Sequence, residues 1–276
     1  MNQHDAGQKI QKSISKNSAN HLDELEYFST LGSTNRYLLN ESMPDPGRFR
    51  VALADYQTGG HGRLGRCWHS PRSSGITMSL AYTFDGSPTD ISSVTLATGV
   101  GLASALEGVG IKGIGLKWPN DLMVANGKLG GILTETPPTG GPNRTVIVGV
   151  GINYDLREVK DPENKFKWLS SARDVASCAE SLPSRSKLYA SLIDALFNTL
   201  ITFQCNGFKP FLTDWEKLDW LCGKQIVVEH SDAHVSGIYE GIEPSGALVL
   251  RTHKGKQHIV AGSITLIENR VFADVR

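Results

Sequence analysis

The sequence has little of what marks a secreted, membrane-spanning or zinc-binding protein. Its four cysteines are widely spaced and form no Cys-X-X-Cys pair, which argues against a structural zinc site and fits a reducing compartment. It contains no run of about 18 apolar residues that would span a bilayer. The first 20 residues are polar and lack the apolar centre of a secretion signal. We therefore expect a cytoplasmic protein with no membrane partner.

The chain also lacks an excess of charge of either sign. Lys and Arg together number 28, and Asp and Glu together number 28, so the formal net charge is zero. No overall field draws such a protein to nucleic acid, although a local basic patch stays possible. A length of 276 residues suffices for one main domain and a second, smaller one.

The hydrophobic patterning divides the chain into three predicted parts. Residues 1–25 are rich in Gln, Ser, Asn and Lys, which predicts a disordered or loosely packed leader. Residues 26–221 form the main domain, with apolar residues at helical spacing over residues 91–110 and 184–203. In residues 222–276, five short alternating runs broken by turns indicate a small barrel. Strand-like runs in the main domain cover residues 50–55, 75–84, 114–118, 129–135 and 145–152.

The densest group of unusual residues lies in residues 57–68, which read Gln-Thr-Gly-Gly-His-Gly-Arg-Leu-Gly-Arg-Cys-Trp. Glycines let the backbone wrap closely around a ligand and expose its N–H groups. Arginines supply fixed positive forks for a carboxylate or a phosphate. This segment, called the glycine-rich loop below, therefore suits an anionic small molecule. Taken alone, it is also compatible with a flexible surface loop.

Four further motifs accompany the glycine-rich loop. Residues 33–35 read Ser-Thr-Asn, and residues 117–121 read Lys-Trp-Pro-Asn-Asp. Residues 128–135 read Lys-Leu-Gly-Gly-Ile-Leu-Thr-Glu, and residues 148–153 read Val-Gly-Val-Gly-Ile-Asn. In this order and spacing, the set closely resembles the catalytic domain of biotin protein ligases. The resemblance runs from about residue 28 to about residue 266.

The resemblance implies a fold and an activity. The implied fold is α+β: a mixed β-sheet flanked by helices, like that of class II aminoacyl-tRNA synthetases, followed by a small SH3-like β-barrel. The implied reaction joins biotin to ATP as biotinyl-5′-AMP and then transfers biotin to a lysine. ATP and biotin are the implied substrates, with Mg²⁺. The implied partner is the biotin carboxyl carrier protein, or the equivalent domain, of acetyl-CoA carboxylase.

Some biotin ligases also carry an N-terminal DNA-binding domain. A leader of residues 1–25 is too short to hold such a domain, so we expect a monofunctional enzyme without a DNA partner. Exposed strand edges could pair two subunits, so a homodimer is one alternative. Lipoate–protein ligases, which share the core fold and also react through an acyl-adenylate intermediate, are the nearest enzymatic alternative. A biotin-binding regulator without turnover is an alternative of another class.

The reaction implied by the resemblance needs no covalent enzyme nucleophile, because both nucleophiles arrive with the substrates. The protein must instead neutralise the repulsion between a carboxylate and a triphosphate and hold them in line. Lys128 and Arg63 match the family positions that do so, and we expect them to be catalytic. His61 stands where the family usually has an arginine. A histidine titrates near neutrality and donates at most two hydrogen bonds, so it replaces an arginine only in part.

The remaining binding residues are carried over from the family motifs. The implied biotin-binding residues are Ser33, Thr34, Asn35, Gln57, Gly60, His61, Gly62, Arg63, Trp68, Lys128, Gly131, Gly149 and Gly151. The implied ATP- or adenylate-binding residues are Arg63, Arg66, Lys117, Asn120, Asn153 and Trp168. Asp121 offers an oxygen ligand of the kind that Mg²⁺ prefers.

Several of these residues also have a purely structural interpretation. Ser33 or Thr34 could cap a helix, because either hydroxyl can accept from a backbone N–H in the first turn. Arg66 could be solvated, and Trp168 could simply pack. The paired glycines of residues 148–153 could mark a bend in a strand.

Overall fold

The computed structural model describes residues 3–86, 88, 91–138, 143–159, 166–230 and 233–267. Its larger sheet has seven strands in the spatial order β1-β2-β3-β7-β6-β5-β4. The strands are β1 (Leu22–Phe28), β2 (Phe49–Ala54), β3 (Gly75–Thr83), β4 (Ile114–Lys117), β5 (Asp121–Val124), β6 (Gly127–Glu135) and β7 (Thr145–Asn153). The pairing of β1 with β2 is parallel and the other pairings are antiparallel. The predicted α+β class with a mixed sheet is therefore confirmed.

Helices cover both faces of this sheet. The helices are α1 (Gln3–Gln11), α2 (Lys16–His21), α3 (Thr34–Asn40), α4 (Val94–Gly108), α5 (Val175–Cys178), α6 (Arg185–Asn206) and α7 (Leu212–Leu218). On one face, α3 places Leu38 against Ala52, Ala81 and Ile147. On the other face, α4 and α6 pack together and α6 contacts β3. Every residue of β3 is buried, because β3 is an interior strand of the sheet and lies between these layers.

The two predicted main-domain helices are both present. Helix α4 lies within the predicted 91–110. Helix α6 begins where Ser184 caps it, accepting a hydrogen bond from the Lys187 amide. By length and composition α6 could cross a bilayer, but 56% of its most apolar window is buried in the core. Its apolar face, including Leu192 and Leu196, is used for packing.

The first residues differ from the expected disordered leader, since α1 and α2 occupy most of that segment. Ala6 and Ile10 are buried on the face that α1 turns toward β1 and α6, and Ile14, just after the helix, is buried as well. The side chain of Ser15 caps α2, and its backbone N–H donates to the Asp194 carboxylate of α6 at 2.9 Å. A few apolar residues at helical spacing thus outweigh the polar composition of the segment.

The smaller sheet has five strands in the order β11-β10-β9-β8-β12. They are β8 (Gln225–His230), β9 (Ala233–Ile242), β10 (Leu248–Thr252), β11 (Gly255–Ile259) and β12 (Ser263–Leu266). It fits the expected SH3-like arrangement, and within the described residues no pairing joins β11 to β12, so the sheet does not close on itself. The short β12 instead contacts the larger sheet, where the Ile264 carbonyl accepts from Lys117 Nζ. The division at residues 221 and 222 stays a prediction.

Replacing Ile10 by Ala tests the packing of α1. The side chain is 2% exposed, so its loss should lower the free energy of unfolding by about 2–4 kcal/mol, as for other large-to-small core changes. Urea unfolding followed by circular dichroism measures the effect. Gln11→Ala, at the exposed neighbouring position, is the matched control. Equal midpoints for the two variants would show that α1 does not dock.

Candidate active site

A cavity of about 230 Å³ opens where the larger sheet, the glycine-rich loop and the start of β12 meet. The predicted site residues come together here from five separate stretches of the chain. Those that line the cavity are Ser33, Thr34, Asn35, Gln57, His61, Gly62, Arg63, Arg66, Trp68, Lys117, Asn120, Asp121, Lys128, Gly131, Gly149 and Gly151. Gly60, Asn153 and Trp168 do not line it.

The floor of the cavity is a polar network at the start of α3. The Ser33 hydroxyl caps the helix, accepting from the Arg36 amide, as the structural interpretation predicted. The Thr34 backbone N–H and hydroxyl both donate to Gln57 Oε1, at 2.8 and 3.1 Å. The Ser79 hydroxyl of β3 lies 2.6 Å from Thr34 Oγ1. These contacts fix the Gln57 side chain with its amide oxygen already satisfied.

Asn35 is buried in the same network and its amide is fully engaged. Its Nδ2 donates to the Leu133 carbonyl at 3.3 Å and to Glu135 Oε2 at 2.7 Å. Its Oδ1 accepts from the Ser79 hydroxyl at 2.5 Å. A Cβ atom at Gly149 would lie 2.3 Å from Asn35 Oδ1, so the glycine is needed to seat this side chain. Asn35 therefore organises the floor through protein partners.

Trp68 forms a wall of the cavity above the neighbouring glycines. A Cβ atom at Gly151 would lie 2.4 Å from the Trp68 ring, and one at Gly131 would lie 3.6 Å from it. Gly131 and Gly151 are register partners on β6 and β7, so together they make a flat bed for the indole. The resemblance implies that Gly131 and Gly151 contact biotin, whereas the Trp68 indole lies against them here. Lys128 Nζ lies 5.5 Å from the ring centroid, a cation–π distance.

Four cations line the cavity: Arg63, Arg66, Lys117 and Lys128. The Asp121 carboxylate pairs with Lys128, with 2.6 Å between Nζ and Oδ1. Burial lowers the pKa of Lys117 and of Arg63 below their ordinary values, because desolvation disfavours the charged form. One carboxylate leaves these cations incompletely balanced, so the cavity is suited to an anionic ligand.

The smaller sheet contributes to the site, which the sequence did not predict. Arg66 Nη2 donates to the Ser263 hydroxyl at 3.0 Å, and Lys117 Nζ donates to the Ile264 carbonyl at 3.2 Å. Next to Lys117, Trp118 is buried and its indole N–H donates to the Gly246 carbonyl at 3.0 Å. Motif spacing gives no signal for these contacts, because they involve a hydroxyl and backbone carbonyls at positions with no charged residue.

The glycine-rich loop folds back on itself as a short hairpin. The Trp68 amide donates to the Gly60 carbonyl at 3.0 Å, and the Gly62 amide donates to the Arg66 carbonyl at 2.7 Å. At its tip, Leu64 has a φ of 56° and is 77% exposed. Gly60 cannot carry a side chain, since a Cβ atom there would lie 2.9 Å from the Trp68 carbonyl oxygen. The hairpin thereby presents both arginines to the cavity.

The outlying predicted residues lie beside the cavity. Asn153 Nδ2 donates to the Lys128 carbonyl at 3.2 Å and to the Arg173 carbonyl at 3.0 Å, so it anchors the start of β6. Trp168 stacks parallel to His69 with 6.3 Å between ring centroids. Within the described part of the chain, no group of three or more His, Cys, Asp or Glu could hold a metal.

Comparisons with known proteins independently show similarity to biotin protein ligases. Residues 27–153 match the Biotin/lipoate A/B protein ligase family, and residues 221–266 match the Biotin protein ligase C terminal domain. The chain is 31% identical to Bifunctional ligase/repressor BirA of Salmonella typhimurium, over 86% of this chain and 72% of the relative. It is 28% identical to Biotin–[acetyl-CoA-carboxylase] ligase of Paracoccus denitrificans, over 77% and 88%. In fold it is similar to the biotin protein ligase from Aquifex aeolicus in complex with biotin and ATP, with a TM-score of 0.74, 24% identity and coverage of 89% and 99%.

Gly151→Ala should displace the Trp68 indole, because the added methyl overlaps the ring. Overpacking of this kind costs about 1–3 kcal/mol and shifts the side chain that must yield. The Trp68 indole N–H resonance, assigned with a Trp68→Phe variant, reports the shift. Gly108→Ala is the control, since a Cβ atom there meets nothing within 4 Å. An unmoved Trp68 resonance in the Gly151 variant would contradict this packing.

Proposed function

The chain belongs to the biotin protein ligase family, and on that basis we propose that it attaches biotin to a lysine of a carrier protein, using ATP. The observation that carries the proposal is the cavity itself. It gathers cations from the glycine-rich loop, from β4 and from β6 beside a polar floor and an indole wall. A carboxylate and a triphosphate must be brought together against their repulsion, and this arrangement supplies the opposing charge.

In the first step a carboxylate oxygen of biotin bonds to the α-phosphorus of ATP. The bond from that phosphorus to the bridging oxygen breaks, and pyrophosphate leaves. We assign Lys128 to the space between the two anions, and the support is that Asp121 holds its ammonium in the cavity at 2.6 Å. Arg63 neutralises the charge that develops on the phosphate. Both cations already line the cavity in the free protein, so only short movements are needed to bring them to the substrates.

In the second step a lysine amine of the carrier attacks the acyl carbon of biotinyl-5′-AMP. The bond from that carbon to the phosphate oxygen breaks, AMP leaves, and the nitrogen loses a proton. The site must keep water away from the mixed anhydride until the amine arrives. The glycine-rich loop is the element that would do so, because its hairpin stands over the cavity.

The chemistry of the walls suggests how the substrates lie. The ureido ring of biotin needs both donors and acceptors, which Ser33, Thr34 and Gln57 offer on the floor. The apolar bicycle suits the face of Trp68. The nucleotide would lie toward Arg66 and Lys117, where the smaller sheet closes the cavity.

The donor set fits Mg²⁺ arriving with the nucleotide. This ion is bound in proteins by one or two carboxylates together with substrate phosphates and water. Asp121 is the carboxylate in the cavity lining that would hold it. When bound, Mg²⁺ would offset charge on the triphosphate. Release of Lys128 from Asp121 toward the substrates is then the protein's own contribution.

We further propose the carrier domain of acetyl-CoA carboxylase as acceptor. The support is the similarity to the Paracoccus denitrificans relative, a biotin–[acetyl-CoA-carboxylase] ligase. A cytoplasmic location is supported by four cysteines that are all free. A homodimer and the lack of a DNA partner stay predictions. Lipoate ligation is an alternative at the level of the fold alone.

Incubation with biotin, ATP, Mg²⁺ and a biotin carboxyl carrier domain tests the function. Intact-mass spectrometry should show one biotinyl group added to the carrier, and none when its acceptor lysine is replaced by arginine. Lipoate in place of biotin serves as the second arm and should give no transfer. Biotin binding without AMP release would instead favour a regulator without turnover.

Lys128→Ala should slow adenylation more than it weakens biotin binding. The lost ammonium counters charge that grows in the transition state, and removal of such a group costs about 100- to 1,000-fold in rate. Pyrophosphate release at saturating biotin is the measurement. Lys112→Ala is the control, because that side chain is 80% exposed and pairs with Glu180. A rate near that of the unmodified enzyme would remove Lys128 from the reaction.

A further inference from the structure

Glu135 ends β6 at the rim of the cavity and has no part in the chemistry described so far. One carboxylate oxygen, Oε2, faces two elements of the site. It accepts from Asn35 Nδ2 at 2.7 Å and lies 3.6 Å from His61 Nε2. Its side chain is 31% exposed, so the carboxylate is partly shielded from water. Glu135 therefore bridges the polar floor and the glycine-rich loop.

The Asn35 side of this bridge is rigid. Asn35 is 3% exposed, and both ends of its amide have protein partners in Leu133, Glu135 and Ser79. Its neighbour Thr34 holds Gln57 by two hydrogen bonds. A ligand bound on this floor therefore lies next to the residues that hold the Glu135 carboxylate.

The His61 side of the bridge is adjustable. His61 opposes Cys67 in the hairpin and lies two residues before Arg63. Its Nδ1 is buried and has no hydrogen-bond partner among the described residues. The 3.6 Å to Glu135 is longer than an ordinary hydrogen bond, so the contact has room to shorten. A small movement of the loop toward β6 would convert it into a charge-assisted hydrogen bond.

We propose that Glu135 is a positioning residue that couples the biotin floor to the glycine-rich loop through His61. The inference rests on the proposed function and extends it to how the loop closes. Asn35 holds the Glu135 carboxylate beside the floor, Glu135 draws in His61 as the loop closes over biotin, and His61 carries Arg63 to the phosphate. Since coupling is reciprocal, holding the loop closed also strengthens biotin binding.

A double-variant cycle tests the coupling. The proteins are the unmodified enzyme, Glu135→Gln, His61→Ala and the double variant, with Glu180→Gln as the control for loss of an exposed carboxylate. Gln keeps an oxygen for the Asn35 amide but removes the charge that attracts His61. Should Glu135→Gln not fold, Glu135→Asp, which keeps the charge and shortens the reach, takes its place.

The first measurement is the rate of pyrophosphate release as biotin is varied. Glu135→Gln should raise KM for biotin about tenfold, which corresponds to about 1.4 kcal/mol, with kcat within about twofold. In the His61→Ala background the same change should raise KM less than about twofold. An equal rise in both backgrounds would mean that Glu135 acts through Asn35 alone and would overturn the proposal. So would no rise in either background.

The second measurement needs no turnover. Trypsin cleavage after Arg63 and Arg66 should slow when biotin is added to the unmodified protein, and this protection should be lost in Glu135→Gln. Equal protection in the two proteins would contradict the coupling. If the unmodified protein binds biotin but releases no pyrophosphate, the proposed function fails while the protease result still decides whether Glu135 controls the loop.

Discussion

The concentration of like charge in one cavity is the constraint on which the rest of the structure depends. Arg63, Arg66, Lys117 and Lys128 repel one another and lose hydration where they are buried, as the lowered pKa of Lys117 shows. Three of them are held by fixed acceptors: Lys128 by the Asp121 carboxylate, Arg66 by the Ser263 hydroxyl and Lys117 by the Ile264 carbonyl. These acceptors come from both sheets. The fold thus bears an electrostatic cost in the free protein that an anionic substrate relieves, which is how preorganised sites act.

Much of the architecture could be predicted from local patterns. Apolar periodicity marked α4 and α6, and short apolar runs marked the strands of the mixed sheet, because burial on one face or two leaves a periodic trace. The amino-terminal segment escaped prediction, since Ala6, Ile10 and Ile14 are few among polar neighbours and gain meaning only from α6 and β1. The five strands of the second sheet were predicted from their alternation, but the pattern did not say whether its two edge strands pair. Closure depends on whether two edge strands meet, and alternation within each strand carries no information about that.

In the candidate site too, residues within one motif could be predicted, whereas contacts between distant segments could not. Motif spacing identified most residues that line the cavity, because each motif places its functional side chains on one turn or strand end. It implied, however, that Gly149 and Gly151 contact biotin. Gly149 and Gly151 make room for Asn35 and Trp68 rather than leaving open space. The roles of Glu135 and Ser263 were not predicted, since they come from partners about 75 to 200 positions away in the chain.

The Arg66–Ser263 contact joins positions 197 residues apart and has a genetic consequence. Alleles that alter the last strand will resemble alleles of the glycine-rich loop, although the altered strand lies far from every recognisable motif. A second change in the loop can then compensate for one in the last strand, and the reverse also holds. Neutral substitutions in the last strand and in the glycine-rich loop should therefore occur together, although the two segments are far apart in the sequence.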